Sequence, residues 1–358
     1  MEYDFWKTKK VLITGHTGFK GSWLSLWLQH LGADVYGYSS SSPVSDPNLY
    51  ETAQVSKNME SICGDILDSS KLEKVIKRIQ PDIIFHLAAQ SLVRESYADP
   101  IGTFSTNVMG TVFLLEAARH VDSVRVVINV TTDKCYENNG ESAQGFKETN
   151  SLGGHDPYSA SKACSEIVTS AYEKSFYSHS GKLLSSVRAG NVIGGGDWAD
   201  DRIIPDIIRS VINKQQLKIR YPHAIRPWQH VLDCLNGYLL LAKNMWESGG
   251  KFIGAWNFGP EDSSIWSVEQ LIKECNHHLG NKLNWWSSES EAHVHEASRL
   301  VLDINKAKTL LNWKPQLTIH QTIEWTMGWY LESMNNSIAD ISLQQIKNFE
   351  KLKAVQFS

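Results

Sequence analysis

Through the first half of the chain, short β-branched runs alternate with segments of helical period. Lys10–Thr14 reads as a strand, the stretch from Gly18 to Leu31 as an amphipathic helix ended by Gly32, and Asp34–Tyr38 as the next strand. Met59–Cys63 and Ile83–Leu87 are further strands, separated by a helix over Ser70–Arg78 that Pro81 closes. A long helical pattern covers Thr103–His120, and an apolar strand follows at Val124–Thr131. Another helix starts after Pro157, and a strand covers Leu184–Ala189. Strands that alternate with helices predict βαβ units, and so an α/β fold with a doubly wound parallel sheet. After Asn191 the grammar changes. Gly194–Asp197 forms a loop, and Pro205, Pro222, Pro227, Pro260 and Pro315 punctuate less regular elements. Residues 1–190 are therefore expected to form a nucleotide-binding domain. Residues 191–358 are expected to form mainly a smaller C-terminal substrate-binding domain, partly interleaved with the first.

Composition narrows the choice. Hydrophobic residues make up 42% and charged residues 21%, a globular balance that argues against disorder. The net charge of −4 excludes a strongly basic nucleic-acid surface. The stretch Met1–Lys10 has no apolar signal core, and no apolar run reaches the length of a membrane span. The expectation is a cytoplasmic protein. Its cysteines, at 63, 135, 164, 234 and 275, form no C-x-x-C pair, so neither zinc nor a disulfide frame is indicated and no metal is expected.

Candidate chemistry begins at Thr14-Gly15-His16-Thr17-Gly18-Phe19-Lys20-Gly21, where a strand gives way to a helix. Glycines there let the backbone turn tightly and approach a pyrophosphate, and a helix N-terminus favours the anion. At the end of the second strand, Tyr38-Ser39 offers neither a carboxylate for a ribose nor an arginine for a 2′-phosphate, which leaves NAD and NADP open. Asp65 suits the adenine side of the pocket, or a turn cap. Tyr158 and Lys162 share one helix face at i, i+4, where an ammonium would draw the phenol towards phenolate. Thr131-Thr132-Asp133-Lys134 leaves a strand at its C-terminal end, where catalytic groups of open α/β sheets collect.

These motifs, with His86–Arg94, Asn107, Arg188-Ala189-Gly190-Asn191, Gly196-Asp197-Trp198, Arg226–Val231 and Trp256–Gly259, resemble the nucleotide-sugar 4,6-dehydratases of the extended short-chain dehydrogenase/reductase superfamily. The likeness runs from about Trp6 to Pro315 and is greatest to the members acting on CDP-glucose. dTDP-sugar members carry Asp-Glu where this chain has Asp133-Lys134. The resemblance implies a Rossmann-like fold and a lyase reaction in deoxysugar biosynthesis, of the kind that feeds lipopolysaccharide O-antigen. A CDP-sugar loses water across C5–C6 while hydride moves internally from C4 to C6 through NAD. An epimerase or reductase of the same superfamily is the alternative, and a non-catalytic dinucleotide sensor a remote one. Catalytic roles are implied for Thr132, Asp133, Lys134, Tyr158 and Lys162. Asp133 is the implied acid, while Lys134 is either the C5 base or a group that holds the substrate. NAD contacts are implied for Gly15, Thr17, Gly18, Phe19, Gly21, Asp65, Ile66, Leu87, Ala88, Ala89, Asn107, Thr131, Tyr158 and Lys162. Substrate contacts are implied for Gln90, Ser91, Asn191, Arg226 and Arg299, the arginines on a diphosphate or in surface ion pairs. His230 and Asp233 read as structural. Apolar stripes at Val108, Val112, Leu115, Ala163, Ile167 and Ala171 exceed what one sheet face would cover, and the resemblance implies that such helices pair in a homodimer built on a four-helix bundle.

Overall fold

The structure is a computed structural model that describes residues 2–40, 45–138, 145–287 and 300–356. Its centre is a parallel sheet. Six strands come from the first half: β1 (Lys10–Thr14), β2 (Asp34–Ser39), β3 (Glu60–Cys63), β4 (Ile83–His86), β5 (Val126–Val130) and β6 (Leu183–Ala189). The second half adds β7 (Asn191–Ile193), β8 (Leu217–Ile219), β9 (Ile225–His230), β10 (Gly254–Phe258), β11 (Ile265–Ser267) and β12 (Trp285–Ser287). The large sheet runs β3-β2-β1-β4-β5-β6-β10, all neighbours parallel. This is the expected Rossmann-like doubly wound sheet. Its strand order reverses between β1 and β4, the position where such sheets bind ligands.

The layers follow from the two-residue period of a strand. Val11 and Ile13 belong to one apolar cluster and Leu12 to the other; Phe85 and Ile84 divide the same way. On one face lie Trp23, Leu24, Trp27 and Leu28 of the Phe19–His30 helix, joined by the Val231–Ser248 helix. The opposite face is covered by Leu72 and Ile76 of the Ser69–Ile79 helix and Leu114 and Leu115 of the Gly110–Arg119 helix. Each such fully buried side chain contributes on the order of 1.5–3 kcal/mol. The late strand β10 closes the sheet edge beside β6, so the second half of the chain contributes to the large sheet as well as to the smaller β11-β9-β7 and β12-β8 sheets.

Two expected elements differ in detail. The Thr103–His120 helix begins earlier, at Pro100, where Asp99 caps it. It widens into a π turn over Ser105–Met109 before continuing as Gly110–Arg119. The supposed outward stripe is also only partly outward. Leu115 and Ala163 are buried within the protomer, each in one of the two apolar clusters, because a helix lying on a sheet must turn one side inward. The exposed apolar side chains of this region are Tyr97, Ile101, Phe104, Met109, Ile167 and Phe176.

Candidate active site

One cavity of about 800 Å³ lies over the C-terminal ends of the strands, lined from the glycine loop to β9. The loop after β1 explains its glycines. Gly15 has φ +73°, and a Cβ there would stand 2.7 Å from the Ala88 backbone nitrogen, so this turn and the one after β4 meet across the strand-order reversal. At Gly18 the only near atom is Gly15 O, at 3.4 Å, which leaves its cavity side clear. Gly18 also begins the Phe19–His30 helix without any side-chain cap. An uncapped helix N-terminus opening on a cavity has backbone N–H groups to offer an anion. These features fit a dinucleotide pyrophosphate.

Around that loop, Thr17, Phe19, Gly21, Asp65, Ile66, Leu87, Ala88 and Ala89 all line the cavity. Thr17 and Ser39 link hydroxyl to hydroxyl at 2.8 Å. Asp65 lines the cavity while Oδ1 accepts the Leu67 N–H at 2.9 Å. Asn107 does not line it. Its amide accepts the Gln90 N–H at 2.9 Å and donates to the Gln90 carbonyl at 3.0 Å, and it is buried. Gln90 is turned away as well, donating to Leu92 O at 3.0 Å and Thr103 Oγ1 at 2.9 Å. Both side chains therefore brace the loop after β4. Ser91, Asn191 and Arg226 do line the cavity, while Arg299 lies outside the described residues.

The reacting groups come from two elements. Asp156 caps the Pro157–Tyr172 helix by accepting the Ser159 N–H at 2.9 Å, with Pro157 in the first turn. This start places Tyr158 at the helix mouth and Lys162 one turn below, both buried and both lining the cavity. Lys162 Nζ donates to Val130 O at 3.2 Å, and burial together with Lys20 brings its pKa down to about 8, against a pull upward from Glu166. Tyr158 does not show the depressed pKa expected of it. Burial pushes the phenol up to about 12, while Thr132 and Arg202 pull it down.

Leaving β5, Thr131 and Thr132 run into a short 3-10 turn, Asp133–Cys135, which Thr132 caps through the Lys134 N–H at 3.3 Å. The turn aims Asp133 and Lys134 at the cavity. Asp133 is buried, and burial raises its carboxyl above the usual range in spite of Lys134, Thr132, Arg226 and Lys20. A carboxyl that burial shifts towards its protonated form is suited to giving up a proton. His230 and Asp233 are structural, as read from the sequence. His230 caps the following helix through the Leu232 N–H, and Asp233 accepts the Gln316 and Leu317 N–H groups at 2.6 and 3.2 Å.

Several cavity cations were not singled out by sequence reasoning. Lys20 reaches Asp133 and Lys162 electrostatically, and Arg202 pairs with Asp197 at 3.1 Å. Arg94 and Arg220 both meet Asp201, at 2.9 and 3.7 Å. Lys20 could have been noticed, because it falls inside the glycine motif. The others depend on chain crossings that no local pattern encodes.

The GDP-mannose 4,6-dehydratase family model matches residues 12–326. A CDP-glucose 4,6-dehydratase of Salmonella typhimurium is 48% identical over 335 residues, covering 92% of each chain. Among solved structures, an epimerase of Methanothermobacter thermautotrophicus overlays with a TM-score of 0.81 at 26% identity, covering 93% of this chain and 95% of that one. A dTDP-glucose 4,6-dehydratase of Streptomyces venezuelae, solved with NAD bound, does so with a TM-score of 0.74 at 25% identity, covering 90% and 97%. With the glycine loop, the Tyr158/Lys162 pair and the Thr132–Lys134 turn on one cavity, this chain belongs to the GDP-mannose 4,6-dehydratase family, within the extended short-chain dehydrogenase/reductase superfamily.

Proposed function

We propose that this chain converts CDP-D-glucose into CDP-4-dehydro-6-deoxy-D-glucose and water, with NAD as a cofactor regenerated in every turnover. The observation that carries this reading is the arrival of Asp133 and Lys134 in the same cavity as Tyr158 and Lys162. The first pair suits an elimination and the second an oxidation. Likeness to the Salmonella enzyme supports CDP-glucose as the substrate, and the NAD-bound dehydratase supports NAD over NADP.

The glycine loop, Thr17, Asp65, Ile66 and the Leu87–Ala89 turn hold the dinucleotide, which when bound accepts hydride from C4 and returns it at C6. Tyr158 takes the proton of the C4 hydroxyl, with Thr132 and Arg202 favouring the phenolate. Once C4 is a ketone, the C5 hydrogen is acidic. Lys134, in its neutral form, removes it, and Asp133, whose carboxyl burial shifts towards the protonated form, donates to the departing C6 hydroxyl. Arg226 and Asn191 receive the nucleotide diphosphate, a planar guanidinium matching its oxygens. The part of the chain after residue 190 supplies most of this substrate wall.

The enzyme works as a homodimer in the cytoplasm. The Pro100–Phe104 and Pro157–Tyr172 helices pack side by side and leave Ile101, Phe104, Met109, Ile167 and Phe176 exposed, a face that a second copy would cover by forming a four-helix bundle. All five cysteines are free thiols, as suits a reducing compartment. Its product class places it in deoxysugar biosynthesis.

Incubation with CDP-, dTDP- and GDP-glucose tests the reading. A 4-keto-6-deoxy product from the CDP-sugar, with no net NADH, is expected. A C4 epimer, or stoichiometric NADH, would replace the lyase by an epimerase or a dehydrogenase.

A further inference from the structure

Beneath the candidate active site lies a buried polar network that the proposed chemistry does not use. Glu166 stands one helical turn beyond Lys162, and its carboxylate accepts from the Thr131 hydroxyl, from Ser186 Oγ at 2.7 Å and from Arg188 Nη2 at 2.7 Å. Arg188 is equally buried, and its other arm, Nη1, donates to the Tyr136 hydroxyl at 2.7 Å and to the Glu148 carbonyl at 3.2 Å. Tyr136 in turn donates to Asn257 Oδ1 at 2.7 Å. Thr131 and Tyr136 flank the segment Thr132–Cys135 on either side. The turn that carries Asp133 and Lys134 is thus fastened at both ends to one ion pair, and that pair is rooted in the helix that carries Tyr158 and Lys162.

An ion pair this deep is weak as a device for stability, since desolvation offsets most of its attraction. Its geometry is better matched to positioning. We infer that Glu166 and Arg188 are positioning residues that lock the Asp133–Lys134 turn at a fixed setting against Tyr158, so that elimination follows oxidation on one bound sugar. Glu166 has a second effect through its charge. The groups acting on Lys162 are Lys20 from the glycine-loop helix, Cys135 from the turn and Glu166 from its own helix, with His86 of β4 sensing Lys162 in return. Of these, Glu166 and Cys135 favour the charged ammonium.

This inference rests on the proposed CDP-glucose reaction, and the holoenzyme with CDP-glucose tests it. Glu166→Gln keeps the size of the side chain and removes its charge. Its kcat should fall by about 10²-fold, the loss that an ångström of misplacement brings, with KM changed less than about threefold. The loss should fall on elimination. In single turnover the 4-keto glucose intermediate and NADH should accumulate, and exchange of the C5 hydrogen with deuterated water should slow. The alkaline limb of the kcat/KM profile should move to lower pH, because Lys162 loses a negative neighbour. Tyr136→Phe removes one fastening and leaves the ion pair whole, so it carries the test if Glu166→Gln does not fold. It should slow C5 exchange about tenfold while oxidation continues. Parent-rate C5 exchange in Tyr136→Phe, or a Glu166→Gln protein with unmoved pH profile and equal loss in oxidation and elimination, overturns the inference. A wild type that does not turn over CDP-glucose overturns the functional reading and this inference together, before any variant is made.

Discussion

Gly190 leaves room for Asp133. A Cβ at position 190 would stand 2.7 Å from Asp133 Oδ2 and 3.2 Å from Pro227 Cγ, so the carboxyl lies against bare backbone where β6 gives way to β7. Its φ is not in the left-handed region, so Gly190→Ala strains no backbone. The atom it would strike is the end of a side chain that can swing aside. Folding should survive while Asp133 leaves its setting, and kcat should fall by about 10–100-fold with Tm changed by a few degrees at most. Parent activity in Gly190→Ala would mean that the position of Asp133 is not critical.

Tyr158→Phe should bind nucleotide and sugar normally and lose C4 oxidation. Loss of a general base costs about 10²–10⁴ in rate. Because burial pushes this phenol up to about 12, the hydroxyl is its resting form, and activity depends on Thr132 and Arg202 to help draw the proton off. Single-turnover absorbance at the NADH band measures the step directly, and a near-parent rate would remove Tyr158 from it.

How much of this site could be read beforehand depended on how local its cause was. The glycine loop, the Asp156-Pro157 helix start and the strand exit at Thr131 are set by neighbours in sequence, and the structure has them where the pattern put them. The Asn107 side-chain amide is bonded to the Gln90 backbone across seventeen residues of chain, a pairing that no local pattern reveals. The stripe through Leu115 and Ala163 failed for a related reason. A 3.6-residue period shows that a helix has an apolar side, but not which neighbour covers it. Burial sets the Tyr158 phenol high against Thr132 and Arg202, an effect of the whole fold and not of the i, i+4 spacing to Lys162.

Lys134→Met separates oxidation from elimination. If Lys134 takes the C5 proton, the variant should still form NADH from CDP-glucose but fail to exchange C5 hydrogen with deuterated water or to release product. C5 exchange at the parent rate would reassign Lys134 to holding the substrate.

The assembly can be tested on the exposed helix pair. Ile167 is 58% exposed within one protomer, on the outer side of the Pro157–Tyr172 helix. Ile167→Glu would place a carboxylate at the centre of the proposed bundle, where desolvating an unpaired charge costs several kcal/mol. Light scattering should show a dimer for the parent and a monomer for the variant at micromolar concentration. A monomeric parent would end the dimer proposal.

Asp233 gives a stability prediction with a definite sign. The carboxyl is 1% exposed at the start of the Val231–Ser248 helix and ties down the Gln316–Leu317 backbone. Burial raises its pKa from 3.8 to about 7, against the two N–H groups that favour the charged form. In the unfolded chain the proton leaves near pH 4, whereas the folded protein keeps it until about pH 7. Between those values the folded state binds the extra proton, so by linkage its stability falls as pH rises and levels off above about pH 7. Asp233→Asn cannot titrate and offers one acceptor oxygen for two N–H groups, which should cost about 1–3 kcal/mol. The variant should therefore melt below the parent at pH 4.5, and the gap should narrow steadily towards pH 7. Parallel Tm curves across that range would show that Asp233 is already ionised in the fold and that its two backbone hydrogen bonds outweigh its burial.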